Sequence, residues 1–400
     1  MNKLHIVKES LLAAFITLVI TYGVSFIPLK FEFSKAIRQE FLGFDIYDLY
    51  YTGKQLKNTK RDDSIILVEI GNSRASIAEQ INLIEKYGPA VIGIDAVFER
   101  EGDAKENAEF VQAINQFENI IFGKRYGIDS TTQKAVVISN FFDKGTHLYS
   151  SGYINFLGNQ FSVVRNYLPF IKIADSLYPA FTSAIAAKFA PGKFDILHER
   201  KRETEIISYQ GNIESYNNLT AAQLIYYDST GQLTSLLANK IVLLGYFVKY
   251  PPFVLEDLHF SPLNEQVAGK SFPDMYGVVI HANILSMIIS GCYAKEASMF
   301  VSYLLAGIII SLFLYYILFQ HKQGNHPSHG KFLLVQFILI VVILYIFLMV
   351  FNWFLIKIPL LPIMIALVLC LELLGVYKTI ALWLHKKFNY TTVFSHKHAI

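Results

Sequence analysis

The chain has 400 residues, of which 53% are hydrophobic and 17% are charged, with a formal net charge of +3 at pH 7. Its mean hydropathy is positive, which at this length excludes an ordinary soluble protein. Its basic residues collect at the ends of apolar segments and it has two cysteines, so neither a nucleic-acid partner nor a disulfide framework is expected.

The first predicted element is an uncharged apolar segment at residues 10–27. A run of about 18 apolar residues is long enough to cross a bilayer as a helix. A cleaved signal peptide is the alternative, but the segment exceeds a usual signal core and no clear A-x-A site precedes Lys30. We therefore predict that residues 1–29 hold a cytoplasmic N-terminal end and an uncleaved transmembrane helix.

Residues 30–298 have the pattern of a globular domain. Scattered apolar positions at residues 33–56 predict an amphipathic helix. A β-prone run at residues 64–70 is followed by a helical pattern over residues 77–87 and by a second apolar run at residues 90–94. This strand, helix, strand order predicts a right-handed parallel crossover with both strands buried.

The rest of the domain continues this alternation. Helices are predicted at residues 104–116, 178–189 and 278–290, and strands at residues 119–123, 205–209 and 240–246. Residues 134–175 are rich in β-branched and aromatic residues with turn signals, which predicts short antiparallel strands. Residues 191–203 and 249–276 are predicted to be irregular. The predicted fold class is an α/β domain with a mainly parallel sheet core, helices and additional short β-strands, joined to four transmembrane α-helices.

Three further apolar segments complete the membrane pattern. They lie at residues 299–319, 332–356 and 358–377, separated by a loop at residues 320–331 and followed by a tail at residues 378–400. The flanking lysines on one side are Lys3, Lys8, Lys322, Lys331, Lys378, Lys386, Lys387 and Lys397, whereas only Lys357 marks the other short loop. The positive-inside rule then predicts a multi-pass membrane protein with both termini in the cytoplasm and residues 30–298 on the opposite side of the membrane.

A set of short segments carries a resemblance to a known family. They are residues 44–50 (FDIYDLY), 66–70 (ILVEI), 88–99 (GPAVIGIDAVFE), 207–211 (ISYQG), 240–245 (KIVLLG), Asp257 with 260–262 (FSP), and 277–285 (GVVIHANIL). In this order, and with this membrane pattern around them, they resemble the CHASE2 domains, which are extracytoplasmic sensory modules of bacterial signalling proteins. The resemblance extends over about residues 10–378, since the family typically has one anchor before the domain and three helices after it.

The resemblance implies a non-enzymatic sensor or receptor of the bacterial cytoplasmic (inner) membrane, with its main domain in the periplasm. Family members usually carry a cytoplasmic output domain after the last helix, whereas residues 378–400 are too few for a catalytic domain. We therefore expect a subunit that forms a homo- or hetero-oligomer and signals through a separate membrane or cytoplasmic protein. The alternative is a structural scaffold subunit of a bacterial envelope complex.

Candidate ligand-binding residues follow several predicted strands. They are Glu69, Asp95, Glu99, Asp257, His281 and Asn283. Because open α/β sheets bind ligands at the carboxyl ends of their strands, one hypothesis is a pocket for an unknown extracytoplasmic ligand. The alternative is that Asp95 and His281 cap helices or tie loops to the sheet. The spacing has no metal-ligand signature and no acid, base and nucleophile set, so we predict no metal, no cofactor and no catalytic residue.

Two polar residues fall within the predicted transmembrane helices. Gln336 and Glu372 would lie at similar depth, and form a candidate intramembrane polar pair beside the lipid bilayer. The alternative is that Glu372 reaches the membrane interface or forms a hydrogen bond that helps the helices to pack.

Overall fold

The structure is a computed structural model, and it describes residues 3–25, 45–55, 61–128, 135–143, 150–158, 162–173, 175–248, 257–264, 272–324 and 328–395. Two compact units divide the chain: a membrane unit of Met1–Phe41 with Lys295–Ile400, and a domain of Leu42–Ala294. Most of the amphipathic helix predicted at residues 33–56 lies outside the described residues.

The described helices and strands are given in chain order. The first half holds α1 (Lys3–Ser25), α2 (Asp48–Gln55), β1 (Asp62–Glu69), α3 (Arg74–Glu85), β2 (Val91–Ile94), α4 (Ala104–Asn115), β3 (Ile120–Ile128), β4 (Ala135–Ile138), β5 (Ser150–Tyr153), β6 (Asn166–Tyr167), β7 (Phe170–Ile173), β8 (Ser176–Pro179), α5 (Phe181–Phe189) and α6 (Pro191–Glu199). The second half holds β9 (Glu205–Ile206), β10 (Tyr216–Leu219), α7 (Ala221–Ser229), α8 (Leu233–Leu237), β11 (Ile241–Gly245), β12 (Leu258–His259), β13 (Met275–Tyr276), α9 (Gly277–Ser290), β14 (Lys295–Glu296), α10 (Met299–Lys322), α11 (His329–Phe354), β15 (Ile356–Lys357) and α12 (Leu361–Phe388).

The centre of the domain is a seven-stranded sheet in the order β10-β1-β11-β2-β3-β4, with β5 also paired to β3. Its pairs are parallel except for β3 with β4. The predicted parallel direction of β1 and β2 is confirmed, but the two strands are not neighbours. The late strand β11 lies between them, with Val242 opposite both Ile66 and Ile92. The sequence did not reveal this insertion because each of the three strands contains an apolar run. Such a run predicts a buried strand but does not specify its neighbours in the sheet.

Helices cover both faces of the sheet, as parallel strands require. On one face, side chains such as Ile66, Ile92 and Val242 share a core with residues of α3, α4, α7 and α8. On the other face α5 packs directly against β2. A Cβ atom at Gly93 would lie only 2.7 Å from the Ile185 side chain and 2.9 Å from the Phe181 ring, so this contact requires glycine.

Several predicted boundaries and pairings change in the domain. Among the short strands, β5 is parallel to β3, whereas β7 and β8 form an antiparallel hairpin. The helix predicted from residue 178 begins at Phe181, because Ser176–Pro179 is the second strand of that hairpin. Residues 191–203 were expected to be irregular, yet they contain α6. Pro191 lies at the start of this helix, where a missing amide donor costs little.

The membrane unit contains four helices that are long and apolar enough to cross a membrane. By length and composition these are Lys3–Gly23, Met299–Lys322, His329–Phe354 and Leu361–Phe388, which confirms the four predicted segments within the described part of the chain. The last helix continues past its predicted end at residue 377 to Phe388, so the predicted tail begins as helix. Residues of α1, α10, α11 and α12 share one apolar core.

Candidate functional site

Asp95 and His281 meet at the carboxyl edge of the sheet. Asp95 directly follows β2, and its amide nitrogen donates to the Leu244 carbonyl at 2.8 Å. His281 lies in the second turn of α9, and its Nε2 atom is 3.7 Å from Oδ1 of Asp95. The two side chains are only 12% and 5% exposed. Their separation is longer than a hydrogen bond.

Three further side chains surround this pair. A Cβ atom at Gly277, the first residue of α9, would lie 3.7 Å from Nε2 of His259 and 3.8 Å from Oδ2 of Asp95. The Phe156 ring centroid is 5.0 Å from that of His259 and 4.8 Å from that of His281. Asp257 is close enough to act electrostatically on both Asp95 and His259. We name Asp95, Phe156, Asp257, His259 and His281 the edge cluster.

Burial sets the protonation of the edge cluster. Burial, helped by the negative charge of Asp257, raises the pKa of Asp95 to about 7. Burial lowers the pKa of His281 to about 3, helped by repulsion from His259. The pKa of His259 is also lowered by burial, against the attraction of Asp257. The short distance between Asp95 and His281 therefore does not make them an ion pair, because His281 is neutral at pH 7 and Asp95 is only partly ionised.

The edge cluster leaves one polar atom unsatisfied. Nδ1 of His281 is buried and has no hydrogen-bond partner among the described residues. Buried polar atoms are nearly always bonded, so this exception needs an explanation. The described residues contain no group of three or more histidine, cysteine or acidic side chains placed to hold a metal ion.

Glu69 and Glu99 have their partners elsewhere. Oε2 of Glu69, at the end of β1, accepts a hydrogen bond of 3.3 Å from the amide of Ala221, the first residue of α7. A carboxylate there is favoured by the helix dipole. The exposed Glu99 forms an ion pair with Arg125. Both acids therefore have structural roles beside the sheet.

Asn283 is buried and fully bonded. Its Oδ1 atom accepts hydrogen bonds from the amides of Gln210 and Gly211, at 2.7 and 3.2 Å. Its Nδ2 atom donates to the carbonyls of Gly211 and Val279, both at 2.9 Å. This side chain fastens the 210–211 turn to α9.

Sequence reasoning missed the buried ion pair of Asp48 and Arg165. Nε of Arg165 donates to Oδ1 of Asp48 at 2.9 Å, and Nη2 donates to Oδ2 at 2.5 Å. Burial raises the pKa of Asp48 while Arg165 opposes that change, and the two-bond geometry is that of an ionised pair. The hydroxyl of Tyr51 also donates to the Ile207 carbonyl at 3.2 Å. These contacts fasten α2, the first described element of the domain, to the segments beside β6 and β9.

A second set of contacts fastens the other end of the domain. The Arg200 guanidinium lies 4.3 Å from the centre of the Tyr293 ring, and it also binds the buried carboxylate of Glu205 on β9. Tyr293 is two residues before Lys295, where the chain enters the membrane unit. Arg200 thus links β9 to the last residues of the domain.

The two polar residues predicted in the membrane helices have separate partners. Gln336 of α11 donates to the backbone carbonyl of Leu367 in α12, and more weakly to that of Val368 at 3.4 Å. Oε1 of Glu372 lies 3.7 Å from Nε2 of His329, and both of these side chains are exposed. Gln336 thus joins two helices, while Glu372 faces outward.

Comparison with known families matches residues 29–318 to the CHASE2 domain. The chain belongs to the CHASE2 family. The match covers the whole described domain and most of α10. The chain therefore carries an extracytoplasmic domain of a sensory, not catalytic, kind within a multi-pass membrane protein. Neither the curated proteins nor the solved structures contain a match to it.

Proposed function

We propose that this protein is a membrane sensor whose CHASE2 domain binds an extracytoplasmic ligand at the edge cluster and signals through a separate protein. The observation that carries the proposal is the unsatisfied Nδ1 atom of His281 beside Asp95, whose pKa is raised to about 7. Strongly perturbed groups at the carboxyl edge of a parallel sheet are typical of binding sites.

A chain of contacts supports transmission from the edge cluster. His281 and Met287 lie on the same helix, α9, and Sδ of Met287 accepts a hydrogen bond of 3.3 Å from the amide of Ser208. The backbone carbonyl of the neighbouring residue, Ile207, accepts a hydrogen bond from the hydroxyl of Tyr51 in α2. A ligand that shifts α9 would thus change the contacts of α2, the described element that follows α1 in the chain.

Cross-linking in native membranes tests the proposal. Tagged full-length protein is cross-linked, recovered and analysed by quantitative mass spectrometry for wild type and for Asp95→Asn and His281→Gln. We expect a separate protein to be recovered with all three, with cross-links that differ in the two variants because the edge cluster has changed. Glu99→Gln is the matched control, since Glu99 is exposed and paired with Arg125.

Two outcomes contradict the sensor. A chain that is always recovered alone has no partner to receive a signal. Cross-links that are identical in wild type and both cluster variants would instead favour a structural scaffold subunit of an envelope complex.

We further propose that both termini are cytoplasmic and that the membrane is the inner one, which the distribution of flanking lysines supports. Cys292 is exposed in the domain and reports on its side of the membrane. A membrane-impermeant maleimide applied to cells with a permeabilised outer membrane is expected to label Cys292. A cysteine introduced by Lys397→Cys in a Cys292→Ser background should be labelled only after the inner membrane is opened. The reverse pattern would contradict this orientation.

A further inference from the structure

Glu9 is a buried carboxylate that the proposed sensing site does not use. It lies in α1, immediately before the uncharged segment, and its side chain is 0% exposed. Its Oε2 atom accepts a hydrogen bond of 3.1 Å from the amide of Val393, 384 positions away in sequence. Its Oε1 atom has no hydrogen-bond partner among the described residues. A carboxylate this close to the membrane interior is costly unless it has a role.

The segment that reaches Glu9 begins where α12 ends. Asn389 has a left-handed backbone conformation with φ of 52°, which ends the helix and turns the chain back. The imidazole of His385 holds the turn through a contact of 2.7 Å between its Nδ1 atom and the Tyr390 carbonyl. A short 3-10 helix, Val393–Ser395, follows. Glu9 therefore caps the start of this helix, where amides lack internal partners.

The same segment contacts three membrane helices. Nε2 of His5 in α1 lies 2.7 Å from the Thr391 carbonyl. The Phe394 ring centroid is 6.0 Å from that of His321 in α10 and 6.3 Å from that of Tyr377 in α12. Val393 packs in a small apolar cluster with Ile6 and Leu318. The only helical turn of its own that the segment has is the three-residue 3-10 helix, so its backbone can open locally more readily than that of the long helices.

We propose that residues 389–395 form a strap that ties the start of α1 to the ends of α10 and α12, with Glu9 as its anchor. The strap opens without unfolding of the helices. Only its consequence rests on the proposed function: an opened strap exposes these helix ends to a cytoplasmic partner.

Hydrogen exchange on the full-length protein in lipid nanodiscs tests the strap. We expect Glu9→Ala to speed exchange of the amides of residues 393–395 at least tenfold, because Val393 loses its acceptor. Amides in the interior of α10, α11 and α12 should exchange as in wild type. Glu9→Gln keeps an oxygen that can accept the same hydrogen bond, so its effect is expected to be several-fold smaller. Glu372→Gln is the control, a carboxyl in α12 whose side chain is exposed.

Either of two results overturns the strap. If the amides of residues 393–395 stay as protected in Glu9→Ala as in wild type, Glu9 is not the anchor of the strap. If the interior amides of the helices lose protection together with those of residues 393–395, the strap does not open separately from the helices. No ligand is used and the domain is unaltered, so a failure here is distinct from a failure of the sensor proposal.

Discussion

Buried polar side chains are partnered differently in the edge cluster and in the membrane helices. In the cluster, Asp95 and His281 stand 3.7 Å apart, and Nδ1 of His281 has no hydrogen-bond partner in the described part of the chain. In the membrane unit, Gln336 and Oε2 of Glu9 each bond to the backbone of another segment, while Oε1 of Glu9 also has no hydrogen-bond partner among the described residues.

The proposed binding role of the edge cluster is supported by two features together, an unsatisfied buried atom and a carboxyl group with a raised pKa. An unsatisfied buried polar atom costs about 1–3 kcal/mol, so stability does not explain why His281 is neutral and poorly bonded beside Asp95. Groups kept at such a cost are typical of binding sites. The bonds of Gln336 and Glu9, in contrast, hold segments of the membrane unit together.

The largest expected effect comes from a well-partnered buried group of the domain. Asp48→Ala leaves the Arg165 guanidinium charged and buried without its partner, which should lower the free energy of unfolding by about 3–5 kcal/mol. Pulse proteolysis of the domain in the full-length protein measures this. Asp63→Ala is the control, since Asp63 is exposed and should change stability by less than about 0.5 kcal/mol. Equal losses in the two variants would show that the ion pair is not a major stabilising contact.

Asp95→Asn should raise the free energy of unfolding at pH 8, whereas Asp48→Ala lowers it. A carboxyl whose pKa rises from 3.8 to about 7 on folding favours the folded state when it is protonated. Wild-type stability therefore falls as the pH rises from about 4 to about 7, by a few kcal/mol, on the order of 1.4 kcal/mol per pKa unit. The side-chain amide of the variant does not ionise, so this loss is absent. The variant should be as stable as wild type near pH 4 and more stable than wild type at pH 8. Unfolding by denaturant at both pH values checks this. A variant less stable than wild type at pH 8 would mean that Asp95 is well partnered when ionised.

The smallest effect is expected in the membrane unit. Gln336→Leu removes a side-chain hydrogen bond to the backbone of α12 but keeps apolar packing. Hydrogen bonds between membrane helices contribute about 0.6 kcal/mol on average, so resistance to SDS-induced unfolding should fall only slightly. Glu372→Gln should leave it unchanged, because that side chain is exposed. A loss of several kcal/mol in Gln336→Leu would contradict the small contribution expected for this hydrogen bond.

The sequence predicted those features that depend on local pattern. Uninterrupted apolar runs identified β1, β2 and β11 and the membrane helices, because burial on both sides requires them. The convergence of Asp95 and His281 followed from the rule that strands of a parallel sheet end at a common edge.

Features that depend on distant pairing escaped prediction. Asp48 and Arg165 are 117 positions apart, and Glu9 and Val393 are 384 apart, and neither pair has a spacing signal. Phe156 lies in no regular element and became part of the edge cluster only through the fold. The helix α7 did have a signal, since Thr220 and Gln223 form a capping box at its start.

The central position of β11 has a consequence for how the domain is made. The strand β11 pairs with β1 on one side and with β2 on the other. The edges of β1 and β2 that face each other therefore cannot form their hydrogen bonds until residue 245 has been synthesised. At about 5–20 residues per second, the interval after β2 lasts roughly ten seconds. During export the first half of the domain therefore waits with open strand edges. This favours slow folding from non-local contacts and leaves the nascent domain exposed to aggregation in that interval.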